Sequence, residues 1–402
     1  MLRDPIYKRG GIFLTYLIFS MGVYSQIPST EWEKLFKMPG SCYFSDGFEA
    51  EGGNLIVLGA IEMPGDRNFD LWFLELTEKG DTVKTKVFRN EGKDTPFRVV
   101  ADGTGGYFIA YISRMPGGEP FSRLIAVDTE FNERWVASGE NPVAIDQTDA
   151  VVDGEGFIWW VNSFEDATGV SQIALWKMNP EDGSKTDKFL LELGVPATAN
   201  ALRYLPDGTL AVACQMKLPK GNPAVGIVKV DKTGKVVWKS QVTSPDKTLK
   251  PHCLCCGPGN NLYAGGWSGL CYNPDAPPEE QIWDYDFLLA KIDGSGKILW
   301  TENYSREGSE RGTALSVLPD GKILAAGKCE TSFTGTVGPW LLIVDEKGTL
   351  IDDQVYKFNF YNDQAARIIL TSNGGFVLIG PGCIDSDRGT FAWIKKLKYP
   401  VL

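Results

Sequence analysis

Histidine is nearly absent from this 402-residue chain: His252 is the only one. One imidazole rules out His-rich metal centres and leaves no confident way to assemble a Ser-His-Asp relay. Positive charge is also scarce. Lys and Arg number 40 against 51 Asp and Glu, for a net −11 at pH 7, so the basic footprint that a nucleic-acid partner requires is missing at the level of net charge. Cofactor signatures are lacking too. Gly321 to Gly327-Lys328 has five residues between its glycines where a phosphate loop needs four, and Cys329 stands where Ser or Thr is required. Asp385-x-Asp387-x-Gly389 is a fragment of a calcium loop without the remaining ligands. No cofactor is therefore expected.

Long apolar runs are absent except at the N-terminus. Arg3, Lys8 and Arg9 precede an apolar stretch of 13 residues from Ile12 to Tyr24, too short for a membrane span of about 20. Val23 and Ser25 suit positions −3 and −1 of a cleavage site before Gln26. Residues 1–25 thus read as a signal peptide and 26–402 as one domain. Cleavage leaves a chain near −13 with no membrane span, expected to be secreted, periplasmic or on the outer cell surface.

What is abundant is turn-forming residue and a repeat. Gly (45) and Pro (23) make about 17% of the chain, against a usual ~12%. The apolar segments NLIVLG, GYFIAY, FIWWVN, TLAVAC, NLYAGG, KILAAG and GFVLIG end at Gly59, Tyr111, Asn162, Cys214, Gly266, Gly327 and Gly380. Their spacings are 52, 51, 52, 52, 61 and 53. The one long interval holds a polar insert from Tyr272 to Gln281. A second β-rich run follows each marker, with Trp72, Trp340 and Trp393 each 13 residues past a marker glycine. Turns such as Asp231-Lys-Thr-Gly234 and Asp293-Gly-Ser-Gly296 close these runs. A third strand and a fourth complete each unit. Four short strands per ~52 residues, seven times, predict an all-β fold, a seven-bladed β-propeller with four-stranded blades.

The seventh unit lacks its outer strand. Trp32 lies 27 residues before Gly59, as Trp135 does before Asn162 and Trp300 before Gly327. The N-terminal segment TEWEKLFKM is therefore expected to pair in the C-terminal blade and close the ring, which hides sheet edges. Units such as DYDFLLAKIDGSGKILWTENYSREGSERGTALSVLPDGKILAAG resemble the repeat of secreted bacterial β-propellers, often found in Bacteroidetes. The resemblance covers the whole chain after residue 25. It implies the same fold and no particular activity.

Eight cysteines in an exported chain imply disulfides. Placed on the repeat, Cys42 and Cys383 meet at the ring seam and are expected to bridge. Cys271 with Cys329, and Cys214 with Cys253 or Cys255, follow from the same reasoning. A metal reading of His252-Cys-Leu-Cys-Cys256 is weaker, because an exported protein tends to oxidise its thiols.

Candidate binding residues gather at one end of the ring. The openings of the innermost strands carry Asp46, Asp94, Asp146, Asp149, Asn200, His252, Glu310, Arg311, Asp363 and Gln364. They predict a carboxylate-rich channel mouth, suited to a cation or to a basic or hydroxylated ligand. Trp267, Tyr272 and Trp283 flank or occupy the blade 5 insert, with Asp275, Glu279 and Glu280, and form a candidate aromatic, acidic platform. The expected function is non-catalytic: a binding or scaffold module for an extracellular glycan, peptide, protein or cation, acting as a monomer. The alternative is an extracellular hydrolase or lyase using carboxylates at the mouth.

Overall fold

Seven four-stranded antiparallel sheets stand in a ring in the computed structural model. It describes residues 27–65, 68–139, 147–306, 308–331, 336–356, 363–383 and 389–399. The expectations for the signal segment, for Asp146 and for Asp385 and Asp387 fall outside these residues. The innermost strands are Cys42–Glu49, Lys93–Ala101, Asp149–Val152, Ala197–Tyr204, Thr248–Cys256, Glu310–Val317 and Arg367–Leu370. In the first six blades each is followed outward by three strands in chain order. In blade 7 the outer place is taken by Ser29–Phe36, which runs antiparallel to Thr390–Lys398 from Ser29 opposite Lys398 to Phe36 opposite Ala392. The ring is thus closed by the first strand of the chain, as the tryptophan spacing predicts.

Burial follows from the repeat. The apolar second and third strands of each blade pack against those of the next, giving seven clusters, one per blade-to-blade interface. The outer strands are mostly exposed or half-buried, as the wet edge of each blade should be. The marker glycines have a steric cause. A Cβ on Gly327 would lie 1.8 Å from the Arg311 carbonyl oxygen, and one on Gly380 2.0 Å from that of Gln364. At those points the innermost strand presses on its neighbour.

A second repeated device ties outer strands together. Trp238 of blade 4 lies on the turn of blade 5, donating from Nε1 to the Gly294 carbonyl at 3.2 Å. Trp135 and Trp300 do the same to Pro180 at 3.1 Å and to Glu346 at 3.0 Å. The repeat-position tryptophans are blade-to-blade packing.

The expected disulfides are not formed: all eight cysteines are free thiols. The repeat does not bring the side chains of the expected partners together. Cys214 points into the core between blades 3 and 4, and Cys253 into that between blades 5 and 6. Cys42 is buried between blades 7 and 1, where Sγ donates to the Phe36 carbonyl at 3.2 Å, so it does not bridge to Cys383. Cys329 is buried and donates to Glu310 Oε1 at 3.5 Å, whereas Cys271 faces Asn273 at the base of the blade 5 loop.

Candidate functional site

Five of the seven innermost strands open with an irregularity at one repeat position. The register against the second strand slips by one residue between Phe44 and Asp46, Pro96 and Arg98, Ala199 and Ala201, Pro251 and Cys253, and Gly312 and Ala314. The extra residues are Ser45, Phe97, Asn200, His252 and Thr313. A bulge of this kind re-aims one side chain out of the pleat. Thr148 and Ala366 hold the same place in blades 3 and 7, and all seven residues line one central cavity of about 380 Å³. Where the bulged residue has a hydroxyl, it caps the neighbouring strand. Ser45 donates to Leu58 at 3.2 Å, Thr148 to Val161 at 3.0 Å and Thr313 to Ala326 at 3.2 Å.

In blades 7, 1, 2 and 3 the residue after this position is charged, and with Arg203, three residues past Asn200 in blade 4, the signs alternate across five consecutive blades. Arg367 Nε of blade 7 lies 3.0 Å from Asp46 Oδ1 of blade 1. Asp46 Oδ2 is 3.8 Å from Arg98 Nη1 of blade 2, and Arg98 Nε is 3.3 Å from Asp149 Oδ1 of blade 3. Asp149 Oδ2 then accepts from Arg203 Nη1 of blade 4 at 2.9 Å. Both carboxylates also accept a backbone N–H from the following blade, Asp46 from Val99 and Asp149 from Leu202, each at 2.8 Å. Two buried carboxylates shared by three guanidinium groups and two amides are well compensated. Burial, with Arg203 nearby, lowers Arg98 to about 10, so it keeps its charge at neutral pH.

Blades 5 and 6 supply the other half of the wall. His252 Nε2 accepts from the Trp267 indole N–H at 3.0 Å, and Nδ1 lies 3.1 Å from the side-chain amide of Gln147, across the mouth in blade 3. The indole contact places the ring hydrogen of a neutral imidazole on Nδ1, which fits Gln147 if its amide presents Oε1. Trp267 packs edge-on to Tyr285 at 4.9 Å, and the Arg311 guanidinium lies over the Tyr285 ring at 3.8 Å. Arg311 stands directly opposite Lys328 in the blade 6 register, and both line the cavity. Burial, and then Arg311, push the Lys328 ammonium below its usual range.

The structure corrects the expected acidic mouth. The cavity wall holds Arg98, Arg203, Arg311, Arg367 and Lys328 against Asp46 and Asp149, a net positive site in a chain of net −11. Of the predicted residues, Asp46, Asp149, Asn200, His252, Arg311 and Gln364 line it. Asp94, Glu310 and Asp363 do not. They occupy one repeat position and are buried between blades, where loss of solvation raises Asp94 to about 6 and Glu310 and Asp363 to about 7. Trp267 supports His252 from behind rather than facing the cavity. Trp283 stacks on Tyr285 at 5.9 Å, and Tyr272 is exposed, donating to Asp284 Oδ2 at 3.1 Å. The insert folds on itself instead of forming a platform: Asn273 Nδ2 donates to the Glu280 carbonyl at 2.9 Å, and the Ile282 N–H to Asn273 Oδ1 at 2.6 Å. Among the described residues no group of three or more His, Cys, Asp or Glu is arranged to hold a metal ion.

Arg98, Arg203, Arg367 and Lys328 were not legible as site residues by the search for carboxylates. The signal was present: Arg98 lies 52 residues after Asp46, so aligning the strands on the bulge would have found it.

No family model matches the chain, and no curated protein matches it. Solved structures do. A protein of unknown function from Dyadobacter fermentans aligns over 92% of this chain and 99% of its own, with 10% identity and a TM-score of 0.56. The hydrazine synthase of Kuenenia stuttgartiensis aligns over 91% of this chain and 98% of its own, with 11% identity and a TM-score of 0.55. The polysaccharide lyase Uly1 aligns over 93% of this chain and 100% of its own, with 10% identity and a TM-score of 0.54. At such identity the likeness is one of fold, shared by an uncharacterised protein and by enzymes alike.

Proposed function

We propose that this chain is an exported binding propeller that takes an anionic ligand in its central cavity. The observation that carries the reading is the reversal of sign: five cationic side chains and two committed carboxylates line the cavity of an acidic protein. Asp46 and Asp149 are each held by guanidinium groups and a backbone amide, which leaves neither placed as a general acid or base. That favours binding over carboxylate-driven hydrolysis. The overall negative charge repels anions at long range, but within a Debye length of about 8–10 Å the cationic wall dominates. Export on the 1–25 segment, membership in the secreted Bacteroidetes-like propellers and a monomeric state complete the proposal.

The test is calorimetric titration of the mature chain with acetate, inorganic phosphate, inorganic sulfate, glucuronate, glucose and calcium chloride. Binding confined to anions, and weakened in an Arg311→Ala/Lys328→Ala double variant with unchanged melting, supports the reading. Binding of calcium or glucose alone overturns it.

A further inference from the structure

We propose, resting on the anion-binding reading above, that the ligand is a carboxylated sugar of the uronate class. Its carboxylate would seat on Arg311 and Lys328, and its hydroxyls would be read by Asn200 and Gln147.

The anion subsite follows from register. Like charges directly opposite one another on neighbouring strands destabilise a sheet, yet Arg311 faces Lys328 with no ion pair to either side chain among the described residues. Arg311 Nε has no hydrogen-bond partner there either. A carboxylate between them relieves the repulsion. The planar guanidinium, fixed on the Tyr285 ring at 3.8 Å, is preorganised for a two-oxygen acceptor. The other three guanidinium groups already serve Asp46 and Asp149. Arg311 and Lys328 are therefore the cations left for a ligand.

The hydroxyl subsite follows from an unmet demand. Asn200 is 4% exposed, sits in the blade 4 bulge on the cavity wall, and has no partner at Nδ2 or Oδ1 among the described residues. A buried amide with neither group satisfied is costly unless something completes it. One donor beside one acceptor matches a sugar hydroxyl, which both donates and accepts. Gln147 lines the same cavity. An inorganic anion uses the cations and leaves the amides idle; a neutral sugar does the reverse. The cavity, about 380 Å³, falls within the usual range for small-ligand sites, about 300–1,000 Å³.

The experiment titrates the mature chain and its Asn200→Ala, Arg311→Ala and Arg311→Lys variants with glucuronate, galacturonate, glucose, acetate and sulfate. Melting of each variant confirms folding. A uronate is expected to bind about 10-fold or more tighter than either glucose or acetate. Arg311→Ala should lose about 10- to 100-fold, with partial rescue in Arg311→Lys. Asn200→Ala should weaken uronate about 10-fold and leave acetate and sulfate unchanged, a difference that a merely structural role would not produce. If acetate or sulfate binds as tightly as the uronates and Asn200→Ala changes nothing, the sugar assignment fails and the anion reading stands. If glucose binds as tightly as glucuronate and Arg311→Ala has no effect, the anion reading itself fails. Absence of binding by every probe overturns the proposal.

Discussion

Arg367 of the last blade reaches Asp46 of the first, Nε to Oδ1 at 3.0 Å. The ring is therefore joined at its axis as well as at its rim, where Ser29–Phe36 pairs in blade 7. Asp46 also holds the Val99 amide at 2.8 Å, so one carboxylate ties three consecutive blades. Replacing it with Ala leaves a buried amide and two guanidinium groups short of a partner. Asp46→Ala is expected to lose about 3–5 kcal/mol in denaturant unfolding, and Asp46→Asn less. A loss under about 1 kcal/mol in the Ala variant would contradict this role.

The rim lock can be tested at Gly296. This residue has φ +90°, and a Cβ there would lie 2.7 Å from Trp238 Cδ2. Gly296→Ala therefore combines backbone strain with a clash and should cost about 1–3 kcal/mol. Trp238→Phe keeps most of the packing and forfeits the bond to Gly294, for about 0.5–1.5 kcal/mol. Thermal unfolding of both variants checks the order.

Removing residues 26–38 should open the ring. It exposes the Thr390–Lys398 edge and uncovers the contact between Trp32 and the Gly80 turn of blade 1. A lower melting temperature and concentration-dependent association are expected, because an unpaired strand is a template for another chain. Unchanged melting and a monomeric profile in size-exclusion chromatography would argue against ring closure by this strand.

The buried carboxylates set a pH dependence. Burial raises Asp94 to about 6 and Glu310 and Asp363 to about 7, above their unfolded values near 4. A raised acid contributes stability that is present below the unfolded pKa and is lost as pH rises toward the folded one. Stability should therefore fall between about pH 4 and pH 7. Exposed turn carboxylates act oppositely. Asp166, whose carboxylate accepts from the hydroxyl and then the amide of Thr168, is lowered to about 2, so its contribution is lost as pH falls from about 4 toward 2. Melting temperature measured from pH 3 to 8 should decline over the upper range, and Asp363→Asn should flatten that decline. An unchanged slope in the variant would remove Asp363 from the account.

Ring size, blade boundaries and closure were legible in the sequence because each rests on local, repeated signals. The marker strands recur at intervals of 51–53 residues save the one that holds the blade 5 insert, the Asp-x-x-Gly turns set hairpin register, and Trp32 keeps the spacing of Trp135 and Trp300. The cavity was half legible. Asp46, Asp149, Asn200, His252 and Arg311 could be placed at the mouth by counting, but the sign of the site could not. Whether a residue at a strand opening faces the channel or the space between blades depends on the bulge, a one-residue shift in pairing with the next strand. In blades 2 and 6 the shift separates Asp94 and Glu310, buried ahead of it, from the residues that follow, and in blades 2 and 4 Arg98 and Arg203 lie beyond it on the cavity wall. The thiols follow the same logic: the repeat gives each cysteine its strand, whereas the direction of Sγ is set by which interface it faces. Sequence alone determined the seven-fold architecture; only tertiary packing decided that its centre is cationic.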